Sequence, residues 1–359
     1  MKKILFVYRG QFQKKIMDTV PDFKNMPTEF LYGMNFLDKE KFETDYIIAP
    51  RTEKRKGIRK LTWLLEFPFA RISKIGLPSE IYSLYKDRLN NADYIFCVND
   101  QTSMGILFAK FIGKLKRQKV ICLIMSLPER IKYFRWCWPI RWLINAMLKK
   151  ADLLLTLSNF VQKDLIKDFR LNAQKVKTFY FGVDLNFWKP IDIEKQNFIL
   201  SIGNDMNRDY QTLIKALPEN IHLKIITRKK IDILNKNIEI LSDISDEQLR
   251  KLYNQCLFVV IPSIKLKNES SGLSCTLQAM ACKKPVIISN TPPISEIFED
   301  NKHYLTYQPE NPENLRKKII TLYNDNNLQT YIAENSYNHV QKFNAKKMAT
   351  QLEQFIESN

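Results

Sequence analysis

No apolar run in this 359-residue chain reaches the eighteen or so residues that a bilayer-spanning helix needs. The N-terminal MKKILFVYRG has too short an apolar part for a secretory signal, and is expected to be a first strand. Six cysteines (Cys97, Cys122, Cys137, Cys256, Cys275, Cys282) include no C-x-x-C pair, and the three histidines give no zinc-type spacing. Reduced thiols in a cytosol are the expectation. There is no convincing D-x-D metal motif and no recognisable RNA- or DNA-binding motif. What is present, 45% hydrophobic and 26% charged residues, belongs to a folded soluble protein and excludes a mainly disordered one. The length suffices for two domains, each with its own core.

The charge is uneven. Residues 1–190 hold 35 Lys and Arg against 18 Asp and Glu, a net of +17; residues 191–359 hold 21 against 20, a net of +1. A field of that sign draws nucleic acid, acidic lipid headgroups or a phosphorylated substrate, although a solubilising lysine surface would give the same count.

Short apolar runs alternate with segments of helical period. KILFVY (3–8), TDYIIAP (44–50), DYIFCVN (93–99), KVICLIM (119–125), LLLTLS (153–158) and KVKTFYF (175–181) are predicted strands, several apolar throughout as strands covered on both faces are. EIYSLYKDRLNN (80–91) and SMGILFAKFIGKL (103–115) are predicted helices between them. After the polar stretch GVDLNFWKPIDIEKQ the alternation restarts with NFILSIG, IHLKIIT, IEIL, LFVVIPS and KPVIIS, and the chain closes on a helix, AKKMATQLEQFIES. The pattern predicts an α/β chain of two doubly wound, Rossmann-like parallel-sheet domains. Ligands bind such sheets at the carboxyl ends of the strands, so two sheets facing each other would make one cleft.

One stretch calls for chemistry. In NESSGLSCTLQAMACKKPVIIS (268–289), the loop after LFVVIPS brings Glu269, Ser270, Ser271 and Gly272 to the start of a helix from about Leu273 to Cys282. Serine is a favoured N-cap, glycine lets a ligand approach the backbone, and unpaired first-turn N–H groups bind phosphate oxygens. An ordinary N-cap explains Ser270 and Gly272, but not a glutamate beside a bound anion.

NESSGLSCTLQAMACKKPVIISNTPPISEIFED resembles the nucleotide-sugar loop of retaining GT-B glycosyltransferases of the family-four group (glycosyl transferases group 1), with its E-x7-E, A-M-A-C and K-P-V-I elements. ADLLLTLSNFVQKDLI, KVKTFYFGVDLNFWKP, SIGNDMNRDYQTLIKAL and DISDEQLRKLYNQCLFVVIPS resemble other parts of that pattern, in order, while the first 90 residues resemble it only in periodicity. The resemblance implies an acceptor-side domain over 1–185, a nucleotide-sugar domain over 186–336 and a C-terminal helix over 337–359 that packs back toward the first domain.

It also implies roles. The first family acid, on the donor sugar, maps to Glu269 with one extra residue in the loop, or to Ser270; the second, on the ribose, maps to Gln278, whose amide can still bond a hydroxyl. Ser271, Gly272, Leu273 and Ser274 line the diphosphate. An Arg–Lys pair that neutralises this group maps to Asn204 and Arg208; Arg208 keeps the guanidinium fork suited to phosphate and to leaving-group charge. Ile244 is implied beside the nucleobase, and Gly10 beside acceptor and phosphates. The family's first-domain histidine is missing, since no His precedes His222; Ser126 falls near its place, with Glu129, Asn99 and Asp100 close by. Glu269, Arg208 and Ser126 are thus the expected catalytic residues. The turn Arg228, Lys229 and Lys230 replaces a glycine-rich one.

Two basic, aromatic segments could account for the charge of the first half: RTEKRKGIRKLTWLLEFPFARISK (51–74) and KYFRWCWPIRWLINAMLKK (132–150). The first is expected to face an anionic membrane. The second is expected to pack in the core, as the corresponding helix of relatives does. The implied protein is a cytoplasmic enzyme, peripheral at the inner face of the membrane, that needs no metal or other cofactor. It would move a sugar from a nucleotide-diphosphate donor to a glycan or lipid-linked acceptor in cell-surface polysaccharide or lipopolysaccharide assembly, with retention. A nucleotide-sugar epimerase of the same fold and a degenerate, donor-binding relative are the alternatives; nucleic acid is suggested by charge alone.

Overall fold

The computed structural model describes residues 1–10, 26–49, 59–232 and 235–358, and of residues 59–65 the backbone alone. Of these, 1–10, 30–180 and 349–358 form one compact unit, and 26–29 with 181–348 form a second.

The first unit is built on a parallel sheet in the order β2-β1-β3-β4-β5-β6, from β1 (Lys2–Tyr8), β2 (Phe42–Ile48), β3 (Tyr94–Cys97), β4 (Lys119–Ile124), β5 (Leu153–Thr156) and β6 (Val176–Thr178). The second has the order β12-β11-β10-β7-β8-β9, from β7 (Ile199–Ile202), β8 (Leu223–Ile226), β9 (Ile238–Leu241), β10 (Val259–Ile261), β11 (Val286–Ser289) and β12 (Leu305–Tyr307). All pairings are parallel. Central strands such as β3, β5, β7 and β11 are buried along their whole length, which is why they carry no polar alternation.

Helices begin where a strand's apolar run meets a capping side chain. Asn99 Oδ1 accepts from Thr102 N at 3.0 Å, Ser158 Oγ from Val161 N at 3.2 Å and Asp209 Oδ1 from Thr212 N at 3.0 Å. Ser245 and Gln248 form a capping box at Asp246–Gln255. Each such cap is worth about 1 kcal/mol. The helix expected over 80–91 is instead two short ones, Ile81–Leu84 and Lys86–Asn90, broken at Tyr85, whose hydroxyl donates to Ile48 O at 2.8 Å. β12, only three residues long, gave no signal in the sequence. The closing helix runs Ala345–Glu357; from Ala349 on it counts with the first unit, where Gln351 Oε1 accepts from Tyr180 N at 3.1 Å.

The tryptophan-rich segment overturns the core-packing expectation. Helices Leu127–Phe134 and Trp138–Leu148 bury Ile131, Phe134, Ile144, Met147 and Leu148, whereas Trp136, Trp138 and Trp142 are 73%, 74% and 58% exposed. Pro139 in the first turn restarts the helical phase, so positions 138 and 142, four apart, share the outer face. Of segment 51–74, residues 51–58 and the side chains of Trp63, Leu64 and Leu65 lie outside the described residues; Phe67 is exposed and Phe69 buried.

Candidate functional site

In the second sheet the strand order reverses between β7 and β10, where the connections leave in opposite directions and open a crevice at the strands' carboxyl ends. The two loops that leave there, 203–209 after β7 and 262–272 after β10, are laced together: Arg208 and Ser263 form an isolated antiparallel bridge, Asp209 N donates to Pro262 O at 3.2 Å and Ile264 N to Asn207 O at 3.0 Å.

Arg208 is the centre of this place. Its side chain is almost wholly buried; Nε donates to Ile202 O at 3.0 Å, and Nη1 to Ser271 Oγ at 2.8 Å and Ser263 Oγ at 3.3 Å, while Nη2 lies 3.8 Å from the Cys275 sulfur. Asp205 Oδ2 lies 3.2 Å from Nη1 and accepts from Ser271 Oγ at 2.6 Å. Gly203 makes this path possible: its φ is +148°, and a Cβ there would stand 2.1 Å from Arg208 Nε. Lys229 Nζ donates to Arg208 O at 2.9 Å and so holds the loop from below, whereas Arg228 pairs with Asp243 at the surface.

The guanidinium therefore points at the N-terminus of helix Leu273–Ala281. Gly272 caps it at φ +93°, 2.7 Å from Ile261 Cγ2 at its would-be Cβ, which no L side chain could occupy. The first-turn amides of Ser274 and Cys275 have no hydrogen-bond partner among the described residues. A buried guanidinium, paired with one half-exposed aspartate, thus stands beside the positive end of a helix. Such an arrangement favours an anion with several oxygens.

Of the residues singled out in the sequence, the structure brings Asn204, Arg208, Ser271, Gly272, Leu273 and Ser274 to this one end of the second sheet. Asn204 serves as a staple there, its Oδ1 accepting from Arg228 N at 2.6 Å. Glu269 and Ser270 are half-buried in the loop before the cap; Ser270 Oγ has no partner among the described residues, while its carbonyl accepts from Leu273 N at 3.1 Å. Ile244 is half-buried just before the Ser245 cap. Gly10 and Ser126 belong to the first unit. Gly10 follows β1 at φ +141°. Ser126 caps helix Leu127–Phe134, and its N and Oγ donate to Asp100 Oδ2 at 2.9 and 3.0 Å, so its proton is already committed.

Gln278 sits in a network that the sequence did not suggest. Its Nε2 donates to Glu29 Oε1 at 2.9 Å, and its Oε1 accepts from Tyr253 OH at 3.3 Å. Trp188 Nε1 donates to the same Glu29 oxygen at 2.8 Å. Glu29 is fully buried and its Oε2 has no partner among the described residues. Burial pushes its carboxyl up to about 7, against the pull of the Gln278 and Trp188 bonds. Thus a carboxylate does stand beside position 278, but it arrives from residue 29, held there by Thr28, whose Oγ1 donates to Asp184 Oδ2 at 2.6 Å. Glu29, Trp188 and Tyr253 left no local signal; Gly203, directly after a strand, did.

Over its full length the chain is similar in fold to Anabaena Alr3699/HepE, solved in complex with UDP-glucose, with a TM-score of 0.73 at 16% identity and 100% of both chains covered. Two six-stranded parallel sheets of this kind define the GT-B fold. Residues 184–339 match the family Glycosyl transferases group 1. It is 24% identical over 58% of its length to the uncharacterized glycosyltransferase MJ1178 of Methanocaldococcus jannaschii, and 24% identical over 47% of its length to the O-antigen chain mannosyltransferase RfbU of Salmonella typhimurium. The chain spans 60% and 51% of the lengths of these two relatives.

Proposed function

We propose that the protein transfers a sugar from a nucleotide-diphosphate donor to a glycan or lipid-linked acceptor, with retention and without a metal ion, at the cytoplasmic face of a membrane where surface polysaccharide is assembled. The observation that carries the donor half is the convergence of Arg208, Ser271 and two free first-turn amides at the switch point of the second sheet. A diphosphate would accept from those amides and from the guanidinium, which then stabilises the added negative charge as the nucleoside diphosphate leaves. Glu269 would orient the sugar hydroxyls, while Gln278, whose amide is bonded at both ends to Glu29 and Tyr253, would hold the helix beside them. The names of similar proteins, a mannosyltransferase of O-antigen chains and a complex with UDP-glucose, support the donor and acceptor classes.

Arg208→Lys and Ser271→Ala test the donor site without removing the charge or the loop. Titrated with UDP and GDP by calorimetry, the parent binds one of them, and each variant loses roughly tenfold to a hundredfold in affinity, as a charge-assisted bond of about 1.5–3 kcal/mol requires. Parental affinity in both variants would remove this end of the sheet from the donor site. Product analysis with donor alone distinguishes transfer from epimerisation, which would release sugar without any acceptor.

A further inference from the structure

The exposed tryptophans of the first unit form a surface that nothing in the donor site uses. Trp136, Trp138, Trp142, Tyr133 and Phe67 are five of the large apolar side chains left exposed among the described residues, and they lie on three neighbouring helices, Arg59–Ser73, Leu127–Phe134 and Trp138–Leu148, with Trp136 in the turn between the last two. Between the first two helices lies an open groove of about 570 Å³ lined by Phe67, Pro68, Arg71, Ile72, Tyr133 and Trp136, with Lys74 at its end. Its lining is mostly apolar, with Arg71 and Lys74 as its cations. Within residues 127–150 the charged side chains are Arg130, Lys132, Arg135, Arg141, Lys149 and Lys150 against Glu129 alone. Glu129 is taken by Lys132 at 2.7 Å, and Asp168 of the next helix reaches Arg135 at 4.0 Å, leaving a net positive face.

The contrast with Trp188 is instructive. That indole is 1% exposed and its N–H is bonded to Glu29, as a core tryptophan should be. Three indoles left outside, interleaved with arginines, are instead the arrangement that suits the headgroup layer of a bilayer, where apolar rings sit below the phosphates and cations beside them. Pro68 and Ile72, beside the rings of Phe67, Tyr133 and Trp136, give the groove an apolar lining that suits an acyl chain.

We infer that this face docks on a bilayer of acidic phospholipids, with Trp136, Trp138 and Trp142 entering the interface and Arg71, Lys74, Arg135 and Arg141 pairing with headgroup phosphates. It deepens the lipid-linked acceptor reading given above, yet stands on residues of the first unit alone.

Flotation of the whole chain with phosphatidylglycerol and with phosphatidylcholine vesicles tests the inference. The parent floats with the acidic vesicles and stays behind with the neutral ones. Trp136→Ser/Trp138→Ser/Trp142→Ser and, separately, Arg71→Gln/Arg141→Gln each lower the partition coefficient roughly twentyfold or more, since each basic residue at the surface contributes about fivefold. Brominated acyl chains quench tryptophan emission in the parent and not in the triple variant. A thermal midpoint near the parent's and an unchanged response to nucleoside diphosphate show that the variant is folded. Failure of the parent to float, equal recovery on both vesicles, undiminished flotation of the triple variant, or loss in that variant of binding to a single-stranded oligonucleotide instead of vesicles would each overturn the inference. Donor binding without flotation would sink only this face, and flotation without donor binding only the donor site.

Discussion

Replacing Gln278 by glutamate would restore the acid that the family pattern has at this position, and the sequence alone suggests that Gln278→Glu should be harmless. The structure predicts otherwise. Nε2 of Gln278 donates to a buried carboxylate 2.9 Å away, and the substitution turns that donor into an oxygen. Two ionised carboxylates at that distance repel by roughly 5 kcal/mol at an effective dielectric of about 20, so the pair would hold one proton between them instead. In the parent, the Glu29 pKa is raised from 4.5 to about 7 by burial, which means the folded state binds the extra proton between those values. The stability this proton confers is complete below 4.5 and is lost as pH rises through 7. A shared proton extends the loss to higher pH, so Gln278→Glu should fall below the parent by about 1.4 kcal/mol for each unit above pH 7 until the pair ionises. Urea unfolding at pH 6 and pH 8.5, followed by the emission of Trp188 beside the pair, reads the difference. Glu29→Gln/Gln278→Glu exchanges donor and acceptor, re-forms the bond and should recover most of the loss. Parallel stability of parent and single variant across that range, or a double variant no better than the single, would refute the reasoning.

Three further outcomes follow from other contacts. Gly203→Ala places a methyl 2.1 Å from Arg208 Nε at a φ of +148°, so it should cost at least about 2 kcal/mol in thermal or urea stability and weaken nucleoside diphosphate binding at the same time. Burial and the stacked His339 ring 4.1 Å away hold His303 down to about 4, so the unfolded chain binds a proton from 6.5 downward that the folded one refuses. Parent stability should therefore fall relative to His303→Gln as pH drops from 6.5 toward 4, and coincident thermal midpoints would exclude this. Trp188→Phe removes one of the two donors to Glu29, and should raise that carboxyl further and extend the loss of stability to pH above 7, read by the same urea series.

Legibility followed the range of the contacts. β1, β3, β4, β5, β7 and β11 could be read because a strand covered on both faces must be apolar along its length, and the helix at Leu273–Ala281 because a small-residue N-cap is a local requirement. The stretch from Glu269 to Gly272 drew notice as a small-residue loop between a strand and a helix, whereas Asn204, Arg208 and Gln278 were named only through the family resemblance. Trp136, Trp138 and Trp142, expected in the core, lie outside it, since an apolar side chain satisfies helical periodicity on either face and a proline at 139 resets the phase.

The amino-acid order by itself determined two doubly wound sheets and the loop at which a phosphate should rest, because alternation, capping and glycine placement act over a few residues. The folded chain alone decided which groups meet across long separations: that Arg208 reaches Ser271 through the space Gly203 leaves, and that the carboxylate beside Gln278 comes from residue 29. A buried charge is tolerated only where partners from distant segments arrive together, and no local pattern records such an arrival.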